Sequence, residues 1–271
     1  MHKTIKDITQ MKRKEKITVL TGYDSTMVTL CEQVDIILVG DSAGMVMLGY
    51  ENTSSVTMED MIRFTTAAKN ARKNSLIVSD LPINSYKNEK DAVTNSLRLM
   101  EAGADAIKLE GGREIADIIK SITKSKIPVM GHLGLLPQTA EKYTVQGKTK
   151  ENAIQLIEDA KIITESGVFS IVLEMVSSQV AKIITEKISV PTIGIGSGKN
   201  CDGQVLVVHD MLGLFEKIKP KFAKRYLSLS EEIRNAVKSY VEEVKNEKFP
   251  AIENEFQMDE DEYSKLRKEI V

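Results

Sequence analysis

Apolar and polar positions recur along this chain in one order. A short run rich in β-branched residues meets a polar stop, and a stretch with apolar residues at helical spacing follows. The runs fall at residues 16–21, 35–39, 75–80, 105–112, 127–132, 169–174, 191–196 and 204–210. Helical patterns separate most of them. Met58, Met61, Ile62, Thr65 and Ala68 share one face behind a capping box, Thr57-Met58-Glu59-Asp60, whose fourth member is Asp rather than Glu. Further helices are predicted over residues 89–102, 113–123, 153–165 and 179–186, with Gly103 and Gly167 as stops. Eight strands alternating with helices predict an α/β fold, a (β/α)8 TIM barrel. Residues 3–13 (Ile5, Ile8, Met11) read as a lead-in helix covering the barrel bottom. Residues 230–248 read as an amphipathic helix (Ile233, Val237, Tyr240, Val241, Val244) capped by Ser230. This organisation gives one barrel domain over residues 1–250 and an acidic C-terminal tail over 251–271. Residues 253–262 carry six acids and no base, and only a short helix through Tyr263, Leu266 and Ile270 is expected beyond them.

The polar stops give the pattern chemical content. Strand two runs into Gly40-Asp41-Ser42-Ala43-Gly44, strand three ends in Asp80, strand four in Glu110 and strand six in Glu174; strand five ends in His132. An Asp after one strand is often only a turn former or a helix cap. Four acids at the strand ends of one barrel converge on the face where such barrels bind ligands. In strand four, Ala106, Lys108 and Glu110 point one way and Ile107 and Leu109 the other. Lys108 and Glu110 therefore look toward the barrel axis. The alternative, a solvated pair on an exposed edge, fits poorly with their apolar neighbours. The polar loop from Gln138 to about Lys150 is a candidate lid.

Composition narrows the field. The 271 residues are 42% hydrophobic and 28% charged, with a net charge of −2 and no basic block, which argues against a nucleic-acid partner. No segment resembles a membrane span, and the first residues lack an apolar signal core, so a cytoplasmic protein is expected. Cys31 and Cys201 are far apart, make no CxxC and read as free thiols. Gly194-Ile195-Gly196-Ser197-Gly198-Lys199 fails as a phosphate loop, because Ile193 stands where the first Gly is required and Asn200 where Ser or Thr is required. It reads as a tight turn lining the pocket.

Asp41 and Asp80, with Glu110 nearby, are hard oxygen donors suited to Mg²⁺. The three histidines lack zinc-ligand spacing. Mg²⁺ would chelate an α-keto acid and act as a Lewis acid. Lys108 would balance the developing charge, and Glu174, among Leu173, Met175 and Val176, is placed to act as general base. The chemistry suggested is removal of a proton next to a carbonyl to give a metal-bound enolate.

Five blocks carry a resemblance: Val39-Gly40-Asp41-Ser42-Ala43-Gly44-Met45, residues 106–112, Gly131-His132-Leu133-Gly134-Leu135-Leu136-Pro137-Gln138, residues 194–198 and Cys201-Asp202-Gly203-Gln204-Val205. In order and spacing over residues 4–250, the chain resembles the ketopantoate hydroxymethyltransferase family. The resemblance implies transfer of a hydroxymethyl group from methylene-tetrahydrofolate to α-ketoisovalerate (3-methyl-2-oxobutanoate), giving ketopantoate on the way to pantothenate and coenzyme A. It implies a barrel of the phosphoenolpyruvate/pyruvate type and a homodecamer. It assigns Asp41 and Asp80 to Mg²⁺, with Glu110 supporting the metal site through hydrogen bonds or bound water. It assigns Ser42 and Lys108, alongside the two aspartates, to the keto acid, Glu174 to removal of the C3 proton, and His132 to the pocket rim. Two departures stand out. The loop after Gln138 is shorter than in the family, and the chain runs on past Pro250.

Two other readings compete. A Mg²⁺-dependent carbon–carbon lyase would use a similar enolate site, but the Lys-Lys-Cys-Gly-His loop of the cysteine-dependent lyases is absent. A non-catalytic barrel would have no use for Asp41, Asp80, Lys108, Glu110 and Glu174 together.

Overall fold

The computed structural model describes residues 2–270. Eight parallel strands close into a barrel in sequential order: β1 (Ile17–Thr21), β2 (Ile36–Val39), β3 (Leu76–Asp80), β4 (Ala106–Glu110), β5 (Val129–Gly134), β6 (Ser170–Glu174), β7 (Thr192–Ile195) and β8 (Gly203–Leu206). The N-terminal helix is α1 (Ile5–Gln10). The first half of the barrel carries α2 (Ser25–Leu30), α3 (Ala43–Val46), α4 (Met58–Ala71) and α5 (Glu89–Ala102). Next come α6 (Ala116–Lys124), α7 (Lys150–Glu165), α8 (Ser178–Lys187) and α9 (Val208–Leu212), then α10 (Leu229–Lys245) and α11 (Glu260–Ile270). No helix lies between β7 and β8.

Period-2 alternation sorts the buried side chains into two cores. Ile17, Val19, Ile36, Val78, Ala106 and Met130 are among those filling the barrel interior. Ile37, Val39, Ile107 and Leu109 are among those packing outward under the helices. Ile8 and Met11 join the interior cluster, so α1 plugs the barrel bottom as its spacing predicted. The Thr57–Asp60 capping box forms, and Asn88 starts and Gly103, at φ 112°, stops α5.

Several boundaries differ from expectation. Strand five runs on to Gly134, because Gly134, at φ 100°, pairs with Glu174 so closely that a Cβ would sit 2.2 Å from the Glu174 carbonyl oxygen. Strand eight stops at Leu206. Val208 N–H donates to Thr21 Oγ1 (3.0 Å), and the chain turns into α9. Residues 43–46 form the short helix α3, which the pattern missed. Ser230 does not cap α10; Ser228 takes the cap position without a side-chain bond, and Ser230 Oγ donates to Glu216 instead. The apolar stripe of α10 (Ile233, Val237, Tyr240, Val241, Val244) is 39% to 57% exposed, and α11 buries none of its described residues. Among the described residues no helix is long and apolar enough to cross a membrane.

Candidate active site

Register sets the first contacts. Asp80 on β3 is paired with Lys108 on β4, Glu110 with His132 on β5, and Gly134 with Glu174 on β6. In parallel strands, paired residues present their side chains to the same face. Hence Lys108 Nζ lies 3.0 Å from Asp80 Oδ1, His132 Nδ1 3.4 Å from Glu110 Oε1 and His132 Nε2 3.4 Å from Glu174 Oε2. All of these side chains but Glu174 are buried, and with Asp41 and Ser42 they line one cavity of about 420 Å³ at the carboxyl ends of the strands.

Asp41 comes from the turn after β2. Its backbone N–H donates to Asp80 Oδ2 (3.1 Å), and its carboxyl accepts a bond from Gln138 instead of capping α3. Ser42 Oγ is 2.8 Å from the hydroxyl of the buried Tyr23. Glu174 precedes Met175, a non-glycine residue at φ 48°. Such a conformation costs on the order of 1–3 kcal/mol and persists where neighbours over-determine it. Here Met175 N–H donates to Ile195 O and its carbonyl accepts from Gln146 N, both at 2.8 Å.

Gln138, which the sequence offers only as part of a block, is buried beside these acids. Its side-chain amide donates to Asp41 Oδ2 (2.7 Å) and Leu81 O (2.9 Å), and its backbone N–H donates to Glu110 Oε2 (3.1 Å). Tyr86 OH donates to its Oε1 (2.5 Å). One loop residue therefore fixes two of the acids. The predicted lid begins here. Pro137 and Tyr143 line the cavity, and Gln146 bridges to Val176 beside Glu174.

The electrostatics are unbalanced. Asp41, Asp80, Glu110 and Glu174 face Lys108 and His132. Burial, reinforced by the charges of Asp80 and Glu110, pushes the Asp41 carboxyl up to about 8. Burial also raises Asp80, and Lys108 opposes it only in part, because one ammonium serves several carboxyls. Burial alone would lower Lys108, but Asp80, Glu110 and Asp41 raise it, so it stays charged. His132 is likewise penalised by burial and lifted to about 9 by Glu110. Glu110 is held below the usual range: burial is outweighed by His132, Lys108 and the Gln138 N–H.

This donor set fits a divalent cation. The two aspartates lie in contact, and the buried Asp80 Oδ1 has no partner beyond its ion pair with Lys108 Nζ at 3.0 Å. Among the described residues no three His, Cys, Asp or Glu side chains form a complete metal cage. Mg²⁺ does not need one, since it takes one or two carboxylates and keeps water and substrate in its other positions. Both oxygens of Glu110 are already turned toward Gln138 and His132.

Comparison with known proteins gives the family and the fold. A family model described as ketopantoate hydroxymethyltransferase matches residues 2–252. A 3-methyl-2-oxobutanoate hydroxymethyltransferase of Nitrosopumilus maritimus (strain SCM1) is 57% identical, covering 100% of this chain and 99% of that protein. One of Clostridium botulinum (strain 657 / Type Ba4) is 52% identical, covering 98% and 100%. Among solved structures, phosphonopyruvate hydrolase superposes with a TM-score of 0.63 at 10% identity, covering 99% of this chain and 96% of that one. A 2,3-dimethylmalate lyase, a member of the PEP mutase/isocitrate lyase superfamily, gives 0.58 at 13% identity, covering 100% of both. These likenesses place the barrel type.

Proposed function

The chain belongs to the ketopantoate hydroxymethyltransferase family, and from that premise we propose that it transfers a hydroxymethyl group from methylene-tetrahydrofolate to α-ketoisovalerate through an enolate. The observation that carries the reading is the convergence of Asp41, Asp80, Lys108, Glu110, His132 and Glu174 on one cavity. Asp41 and Asp80 would hold Mg²⁺, with Glu110 acting through bound water. Once bound there, Mg²⁺ supplies a Lewis acid for the keto group.

The chain's own residues do the rest. Lys108 and Ser42 orient the keto acid, Lys108 remaining cationic as negative charge develops. Glu174, across the cavity from the aspartates, accepts the C3 proton. His132, between Glu110 and Glu174, fixes the two carboxylates relative to one another. Water first breaks the two C–N bonds of the donor's one-carbon unit, leaving tetrahydrofolate with both nitrogens protonated and the carbon at the aldehyde level. C3 then bonds to that carbon, and its oxygen takes up the proton held by Glu174 to become the hydroxyl.

Residues 1–250 are taken as the catalytic unit and 251–271 as an appended acidic tail. The exposed stripe of α10 supports self-association, and the decamer implied by the resemblance is the expected form. A cytoplasmic setting suits both small-molecule substrates. The test is product formation. With α-ketoisovalerate, methylene-tetrahydrofolate and Mg²⁺ all present, ketopantoate appears by mass spectrometry, and omission of any one abolishes it. No ketopantoate from the complete mixture would overturn the reading.

A further inference from the structure

The half of the cavity bounded by β7, β8 and β1 takes no part in the chemistry above. Its lining includes Ile195 and Val205 from the strands, Val207 from the turn into α9, and Phe215, Ile218 and Phe222 from the strap after α9. The strap is anchored. Leu214 N–H donates to His209 O and Tyr226 N–H to Met211 O, both at 2.8 Å, and Arg225 Nη2 donates to Phe215 O (3.3 Å). Phe222 sits directly on the end of β7, where a Cβ at Gly196 would meet its ring at 2.9 Å. This half is therefore a formed apolar wall.

Two charged residues line this half as well, Lys221 on the strap and Asp210 on α9. The Asp210 carboxyl lines the cavity, is half-buried, and makes no hydrogen bond or ion pair among the described residues. Arg225 acts on it only as a nearby charge. The backbone of Asp210 serves α9 by donating to Val207 O, but the fold makes no use of the carboxylate. Withdrawing an unpaired carboxylate from water costs free energy that an apolar residue here would not. The keto acid cannot be its partner, since two carboxylates repel. The cavity volume lies in the range of drug-sized ligands, roughly 300–1,000 Å³, so a five-carbon acid leaves room beside it.

We propose that Asp210 and the wall formed by Phe215, Ile218 and Phe222 hold the pterin ring of the one-carbon donor, a step that rests on the donor assigned above. A pterin is flat, with apolar faces for the two phenylalanines and one edge carrying N3–H and the 2-amino group side by side. A carboxylate accepts such paired donors in a bidentate fork. The same cavity then places the ring in the β7–β1 half and the keto acid in the β2–β6 half, with the one-carbon unit between them.

The experiment is calorimetric titration of tetrahydrofolate into the Mg²⁺-loaded full chain, wild type, Asp210→Asn and Phe215→Ala, alongside titration of α-ketoisovalerate. The Asn variant is isosteric and removes no bond the fold uses; circular dichroism checks its folding, and Phe215→Ala tests the wall independently. The expected result is about 10- to 100-fold weaker tetrahydrofolate binding in Asp210→Asn, weaker binding in Phe215→Ala, and a loss confined to the folate titration. Wild-type affinity for tetrahydrofolate in both variants would overturn the pterin site while leaving the donor assignment standing. No tetrahydrofolate binding by the wild type, even with α-ketoisovalerate present, would remove the donor assignment and the pterin site with it. A sedimentation shift in Asp210→Asn with folate affinity retained would assign the carboxylate to a contact between copies, and would overturn the proposal.

Discussion

Strands β2 to β6 and the turn after β2 deliver Asp41, Asp80, Lys108, Glu110, His132 and Glu174 to the mouth of the barrel, whereas β7, β8 and β1 deliver Ile195, Val205 and Thr21. Both halves use the same strand geometry and the same inward alternation. What differs is the energy each half stores. In the first, more carboxyls than cations are held out of water, so Asp41 is driven up to about 8 and the site is poised to take a cation and an anionic substrate. In the second, apolar contact dominates, and one half-buried acid stands without a partner. The contrast teaches that barrel topology brings groups together without fixing their chemistry. Under the two proposals above, one half would move a proton and the other would hold a flat ligand.

The largest effect should come from Glu174. Glu174→Gln keeps shape and loses the base, so exchange of the C3 proton should fall about 10²- to 10⁴-fold, with Mg²⁺ and keto acid still bound. Exchange at the wild-type rate would place the base outside the β2–β6 half.

Lys108→Met should come next. It leaves Asp80, Asp41 and Glu110 buried around no ammonium and should cost about 3–5 kcal/mol in urea unfolding, with part regained on adding Mg²⁺. Unchanged stability would mean that the acids of this half are not electrostatically coupled. A Gln138→Leu change strips donors from Asp41 Oδ2 and Leu81 O. It should destabilise by about 1–3 kcal/mol and weaken Mg²⁺ binding, because Asp41 loses its orientation; a normal Mg²⁺ affinity would make Gln138 merely structural.

The smallest expected effect is on pH dependence. Because the carboxyl of Asp41 without a cation titrates near 8, at lower pH Mg²⁺ must displace a proton. Its affinity should fall about tenfold per pH unit below about 8 and level off above it. A flat profile across pH 6 to 9, measured by calorimetry, would detach Asp41 from the cation.

Much of this was legible because it obeys short-range periodicity. The alternation of Ala106, Lys108 and Glu110 against Ile107 and Leu109 predicted which side chains face the axis, and the two cores divide along that line. Gln138 was not legible as a positioning residue, because its partners after β2, after β3 and on β4 are remote in sequence. The end of β8 is not legible because Val207 and Val208 look like strand, yet Val208 N–H is drawn to Thr21 Oγ1 at the end of the neighbouring strand β1. Asp210 closes the run 204–210 in the sequence without counting among the four strand-end acids, and in the structure it lies on α9, apart from them.

The most direct test of the enolate account is NMR observation of the C3 proton of α-ketoisovalerate in D₂O with the folded protein, with and without Mg²⁺, and then with tetrahydrofolate added. The account predicts loss of that signal only when Mg²⁺ is present. A C3 proton that stays unexchanged with Mg²⁺, both before and after folate is added, would contradict it.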